Sequence, residues 1–176
     1  MVVSVVYKGE VIFKKGYGFS DLENRIPADP DKHLFRIASI SKTFPWIAVM
    51  QLVEQGKLDL NEDIQTFLDF VIPKTYDEPI LLKHLLTHTP GFEDHTAGST
   101  RESGDLLSLR EFLANHVAAR VKKPGTYMAY SNYGSSVAGY IVERVSGMPW
   151  DEYVQKTTRS AWYDWDYWPS TRVERA

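Results

Sequence analysis

Strand-forming sequence is concentrated at the very start of this chain, and that confines the fold more than any other feature. Val2 to Tyr7 and Val11 to Tyr17 are β-branched and aromatic runs separated only by Lys8-Gly9-Glu10, the composition of an antiparallel hairpin closed by a glycine turn. A lone hairpin is marginally stable in water and exposes pairing edges. It must therefore be covered by helices or by another chain, and the remainder of the sequence is largely helical in pattern. Asp21 to Lys32, with Pro27, Pro30 and Asn24 among several charges, reads as a surface connection.

From Ser39 or Ser41 a helix is expected to run to about Gln55, with Phe44, Ile47, Ala48, Val49, Leu52 and Val53 on its apolar face and Gly56 as its stop. Pro45 would then lie just past the first turn, where it costs about 3 kcal/mol, so a distortion is expected close to Ser39. Further helices are signalled at Asn61 to Leu68, Ile80 to Thr87, Leu109 to Arg120, Asn132 to Ser146 and Trp150 to Lys156. Ser108-Leu-Arg-Glu111 has the pattern of a capping box. Glu93 to Gly104 reads as an exposed loop of the kind that flanks sites. The expected organisation is one α+β domain over residues 1–155 followed by a divergent tail, 156–176, in which Trp162, Tyr163, Trp165, Tyr167 and Trp168 crowd together.

Charge and cysteine content narrow the chemistry. Twenty Lys and Arg against 23 Asp and Glu leave a net charge of -3, which argues against a nucleic-acid partner, whose binding surface would be basic. Cysteine is absent, so disulfides, thiolate metal sites and cysteine nucleophiles are excluded together. No apolar run approaches the roughly 20 residues of a membrane span. With no basic leader before the opening apolar residues, a cytoplasmic location is the expectation.

Two short patterns could carry catalysis. In Ser39-Ile-Ser-Lys42 a spacing of three places hydroxyl and amine on one helical face. A partly desolvated lysine could then take the serine proton. The pattern is weak alone, because 13 serines and 11 lysines in 176 residues produce about one such match by chance, and serine is also an ordinary helix cap. Tyr130-Ser-Asn132 lies where a loop meets a helix. Its phenol could shuttle the proton, and Asn132 could hydrogen-bond a substrate carbonyl or simply cap the helix.

Taken with their surroundings, these patterns become specific. Phe35-Arg-Ile-Ala-Ser-Ile-Ser-Lys-Thr-Phe44, Leu85-Leu-Thr-His-Thr-Pro-Gly91 and Pro124-Gly-Thr-Tyr-Met-Ala-Tyr-Ser-Asn-Tyr133 occur in one order and at separations that resemble class C β-lactamases, family VIII esterases and related penicillin-binding-like proteins. Similarity runs from the hairpin through Gly147-Met-Pro-Trp-Asp-Glu-Tyr153. The resemblance implies a partial β-lactamase/transpeptidase-like fold, an N-terminal hairpin packed with a mostly helical region and lacking the later strands of the sheet. It implies a serine hydrolase that forms an acyl-enzyme on ester substrates, with amides or β-lactams as further candidates. By the same resemblance Ser39 is the nucleophile, Lys42 and Tyr130 exchange protons, Asn132 contacts substrate, and neither metal nor organic cofactor is needed. The middle motif Tyr-Ser-Asn, rather than the Ser-Asp-Asn of class A β-lactamases, favours the class C or esterase branch.

The third motif of that family, Lys-Thr-Gly or His-x-Gly, is not found, and Lys156-Thr157-Thr158 lacks the glycine that permits close approach of substrate. Weak activity is therefore expected, and a catalytically silent chain that binds a ligand or associates with itself is the alternative. A homodimer through the exposed sheet edge or the aromatic tail is the expected assembly. His84 and His88 have a spacing that can hold zinc, but the residues between them lack the glutamate of a metalloprotease. A structural role for both histidines is expected, with His88 hydrogen-bonded near the Thr89-Pro90 turn.

Overall fold

The computed structural model describes residues 1–94 and 107–158. The chain divides into two compact units, Met1–Ser39 and Ile40–Ala176. In the first, β1 (Val2–Tyr7) pairs antiparallel with β2 (Glu10–Gly16). Tyr7 faces Glu10 across the turn, leaving Lys8 and Gly9 as a two-residue loop with φ of 50° and 85°. Two consecutive positive φ values define the primed turn that matches strand twist, so the glycine has a steric reason to be there. The register shifts between Val5 and Val6, and Ile12 is the additional residue. Val5, Val6, Tyr7, Val11, Ile12 and Phe13 all remain exposed.

The segment expected to be a plain connection contains a second small ladder. β3 (Phe19–Asp21) pairs with β4 (Ile26–Pro27). Asn24 makes the reversal, its backbone and side-chain nitrogens both donating to the Asp21 carboxylate at 2.9 and 2.7 Å. Proline at this position is compatible with an edge strand two residues long.

The second unit is helical and centred on one buried helix. Its helices are α1 (Thr43–Glu54), α2 (Leu82–Leu86), α3 (Leu109–Asn115), α4 (Asn132–Ser146) and α5 (Trp150–Tyr153). Each of the others packs against α4. Accordingly α4 is buried almost all round, from Tyr133 to Val142, as expected for a helix surrounded by others. Ala48, Val49 and Leu52 of α1 are buried in the same core as Val137, Ile141 and Val142 of α4, and burial of each larger side chain contributes about 1.5–3 kcal/mol. Gly147 ends α4 in the left-handed region with φ of 70°, as its position in the sequence predicted.

Several helices are shorter than the periodicity suggested. Ala38–Lys42 forms a 3-10 turn and α1 begins only at Thr43. Pro45 therefore falls in the first turn of α1, where no intrahelical donor is lost. The expected distortion near Ser39 is this tighter turn, opened by Ala38 at φ of 47°. Asn61 to Leu68 contributes only the 3-10 turn Ile64–Thr66. The next predicted helix contracts to α2, and α3 stops at Asn115 instead of Arg120. Its start is as predicted, since the Ser108 hydroxyl accepts from the Glu111 amide and the Glu111 carboxylate accepts from the Ser108 amide at 3.0 Å. The last predicted helix becomes α5 followed by the π-helical turn Val154–Thr158. Most of the Glu93 to Gly104 loop and the aromatic tail lie outside the described residues. Among those described, no helix is long and apolar enough to cross a membrane.

Candidate active site

Packing of α1 on α4 brings together residues far apart in sequence. Lys42 stands at the N-terminus of α1 and Asn132 is the first residue of α4. The Lys42 ammonium donates to Asn132 Oδ1 at 2.7 Å and lies 4.7 Å from the centroid of the Tyr130 ring, within cation–π range. Asn132 does not cap α4. Ser131 does so instead, its buried hydroxyl accepting from the Gly134 amide at 3.0 Å, which releases the Asn132 side chain for other contacts.

His88 contacts the Tyr130 segment at several points. The amides on either side of Tyr130, those of Ala129 and Ser131, donate to the His88 carbonyl at 2.7 Å and to His88 Nδ1 at 3.3 Å. The two rings lie 4.6 Å apart between centroids. His88 itself has φ of 55° and packs against Trp46 of α1 at 5.5 Å, whose indole donates to the Leu86 carbonyl. Burial first, and then the nearby Lys42 charge, hold the His88 pKa below its ordinary value, with Asp94 opposing weakly. A neutral ring is what the geometry requires, since a protonated Nδ1 could not accept from the Ser131 amide.

This arrangement rests on a backbone zipper between two loops. Glu93 N donates to Ala119 O, Val121 N and Lys122 N donate to Gly91 O, and Gly125 N donates to Thr89 O. Gly91 makes the approach feasible. Its φ is 82°, and a Cβ there would stand 2.0 Å from the Lys122 carbonyl oxygen, closer than any side chain tolerates. The zipper carries His88 to Tyr130 and Asp94 to Asn132, where the Asp94 carboxylate accepts from the Asn132 backbone amide at 3.0 Å and from Nδ2 at 3.1 Å.

Of the four residues singled out from the sequence, Lys42, Tyr130 and Asn132 share one cluster. Ser39 is exposed, precedes Lys42 by three residues in the same 3-10 turn, and is the last residue of the first unit. It does not cap α1, whose N-cap is Lys42. The non-glycine residue before it, Ala38, adopts a left-handed backbone that costs about 1–2 kcal/mol, and strain of this kind gathers at functional positions. His84 and His88 do not act as a pair. The His84 Nδ1 accepts from the Leu81 amide at 3.1 Å, while His88 serves Tyr130. Sequence reasoning missed Trp46 and Asp94 altogether. Trp46 was indistinguishable from an ordinary apolar helix residue, and Asp94 from the other polar residues of the loop that begins at Glu93.

Comparison with known proteins identifies the family and the fold. The family model described as Beta-lactamase matches residues 1–170. The human mitochondrial serine beta-lactamase-like protein LACTB is 26% identical over 224 residues, covering 89% of this chain and 41% of that protein. Among solved structures, the octameric penicillin-binding protein homologue from Pyrococcus abyssi superimposes with a TM-score of 0.74 at 30% identity, covering 88% of this chain and 37% of that one. The D-amino acid amidase from Ochrobactrum anthropi, complexed with L-phenylalanine amide, has a TM-score of 0.70 at 29% identity, covering 88% and 43% respectively. The chain spans about a third of the length of the first curated relatives it matches. Its α+β architecture is thus a part of the β-lactamase/transpeptidase fold, and with its family model matched over nearly the whole sequence, this chain belongs to the β-lactamase family.

Proposed function

We propose that the chain carries the nucleophile-bearing part of a serine hydrolase acting through an acyl-enzyme at Ser39. In this reading the Ser39 hydroxyl attacks the acyl carbon of an ester while its proton passes to the Lys42–Tyr130 pair, which accepts it in the state with one proton fewer, a Tyr130 phenolate beside the Lys42 ammonium. The tetrahedral intermediate then collapses, the same pair returns the proton to the departing alcohol, and water releases the acyl group. Asn132 donates to the substrate from its amide. The observation that carries the reading is the contact of Lys42 with both Tyr130 and Asn132, which joins the two motifs in one place. Kinship with an amidase supports amides as substrates beside esters, and membership of the family supports β-lactams.

Intact-mass analysis after incubation with a fluorophosphonate or a short activated ester provides the test. A mass gain is expected in the wild type and not in Ser39→Ala. Equal labelling of the two would remove Ser39 as nucleophile, and no labelling of either would favour a chain that binds without catalysis. Self-association through the exposed edge of the β1–β2 hairpin or through the tail belongs to the same proposal. Light scattering that finds a strict monomer at high concentration would exclude it.

A further inference from the structure

Asp94 has a geometry that the serine-hydrolase reading does not use. Its carboxylate, which offers only acceptors, takes the Asn132 backbone amide at 3.0 Å and the Asn132 side-chain nitrogen at 3.1 Å through Oδ1 and 3.3 Å through Oδ2. On the other side of the same amide the Lys42 ammonium, which offers only donors, meets Oδ1 at 2.7 Å. A flipped Asn132 would place its NH2 group against an ammonium and its carbonyl against a carboxylate, two repulsive contacts in place of two charge-assisted bonds. The orientation of Asn132 is therefore dictated by its neighbours.

We infer that Asp94 is a positioning residue that fixes the Asn132 amide with its oxygen on Lys42, so that cation, amide and carboxylate form one chain across the site. The inference rests on the proposed reaction at Ser39. One amide hydrogen shared between the two Asp94 oxygens leaves the second, which meets no acceptor among the described residues, to donate to a substrate carbonyl. Fixing the oxygen on Lys42 also fixes the direction of that second hydrogen. Asp94 stands on the segment zipped to residues 119–122, while Asn132 begins the buried helix α4. The clamp thus joins a loop to the central helix of the unit. Because Asp94 is exposed, its replacement removes the clamp without opening the core.

The test compares wild type, Asp94→Ala and Asp94→Asn for the rate of fluorophosphonate labelling at Ser39, the thermal midpoint and the Asn132 side-chain 15NH2 signals, assigned by their loss in Asn132→Ala. Asp94→Ala is expected to label about tenfold to a hundredfold more slowly, the penalty of a misplaced site group, with its midpoint within about 2 °C of wild type. Asp94→Asn retains an accepting oxygen and is expected to recover most of the rate. A purely structural role would not produce that recovery at equal stability. Labelling of Asp94→Ala at the wild-type rate, or an equal defect in both variants, overturns the inference. Should the wild type itself fail to label, the serine-hydrolase reading is what has failed. The 15NH2 signals then decide the clamp, and signals unmoved by Asp94→Ala would refute it.

Discussion

Replacing Gly91 with alanine tests whether the zipper between residues 88–93 and 119–129 holds the site together. The structure implies two costs. An L-residue at φ of 82° carries about 1–2 kcal/mol of strain. The new Cβ would also stand 2.0 Å from the Lys122 carbonyl oxygen, so the two segments must part. Parting them disrupts the bonds that Gly91 O accepts from Val121 N and Lys122 N at 2.8 and 3.2 Å, each worth about 1 kcal/mol net. The expected loss is about 3 kcal/mol or more. Gly56 supplies the control, because its φ is 68° and nothing lies within 4 Å of where a Cβ would be. Gly56→Ala should therefore cost only the strain, about 1 kcal/mol. Guanidinium denaturation of both variants measures the difference as a shift in midpoint at constant slope. If Gly91→Ala and Gly56→Ala agree within about 0.5 kcal/mol, the steric argument at Gly91 is wrong.

Three further outcomes are expected. Ser131→Ala should lose about 1 kcal/mol of stability, since its buried hydroxyl is the cap of α4; a denaturation midpoint equal to wild type would count against that role. Tyr130→Phe should keep the fold and slow Ser39 labelling, and an unchanged rate would remove the phenol from the proton path. Acidification should destabilise the chain through His84 and His88. Both have folded pKa values below the ordinary one, burial being the first cause, followed by Lys83 for His84 and Lys42 for His88. The unfolded histidines titrate near 6.5, so as pH falls the unfolded state takes up protons first. The stabilisation is complete above about pH 6.5 and declines below it. Denaturation at about pH 7.5 and 5.5 checks this, and a His84→Gln/His88→Gln variant should show a smaller difference; stability that rises on acidification would refute it.

The parts of the fold that were legible from sequence are those governed by local chemistry. The hairpin was announced by β-branched runs and a glycine, α3 by the Ser108–Glu111 box, and the end of α4 by Gly147. Helix lengths were read too long wherever an apolar pattern continued into residues whose backbone bonds go elsewhere. Ala119 and Arg120 close the helix that the pattern predicts, but the Ala119 carbonyl accepts from the Glu93 amide and Arg120 bridges to Phe92. For the same reason the site was only half visible. Lys42, Tyr130 and Asn132 stood out as motif residues, whereas Trp46, His88 and Asp94 act on them through contacts that no spacing encodes. Asn132 could be read as a cap until Ser131 was seen to occupy that role.

The bond between Lys42 and Asn132 spans 90 positions of the chain, and this has a kinetic consequence. Closing so long a loop is entropically costly and rewarded only after α1 has docked on α4, so the cluster belongs to the late, non-local contacts of folding. Intermediates with formed helices but undocked cores would hold the lysine, the phenol and the amide apart. Chemical competence at this site would then serve as a clock for refolding, appearing with the final cooperative step and not with the first helical signal.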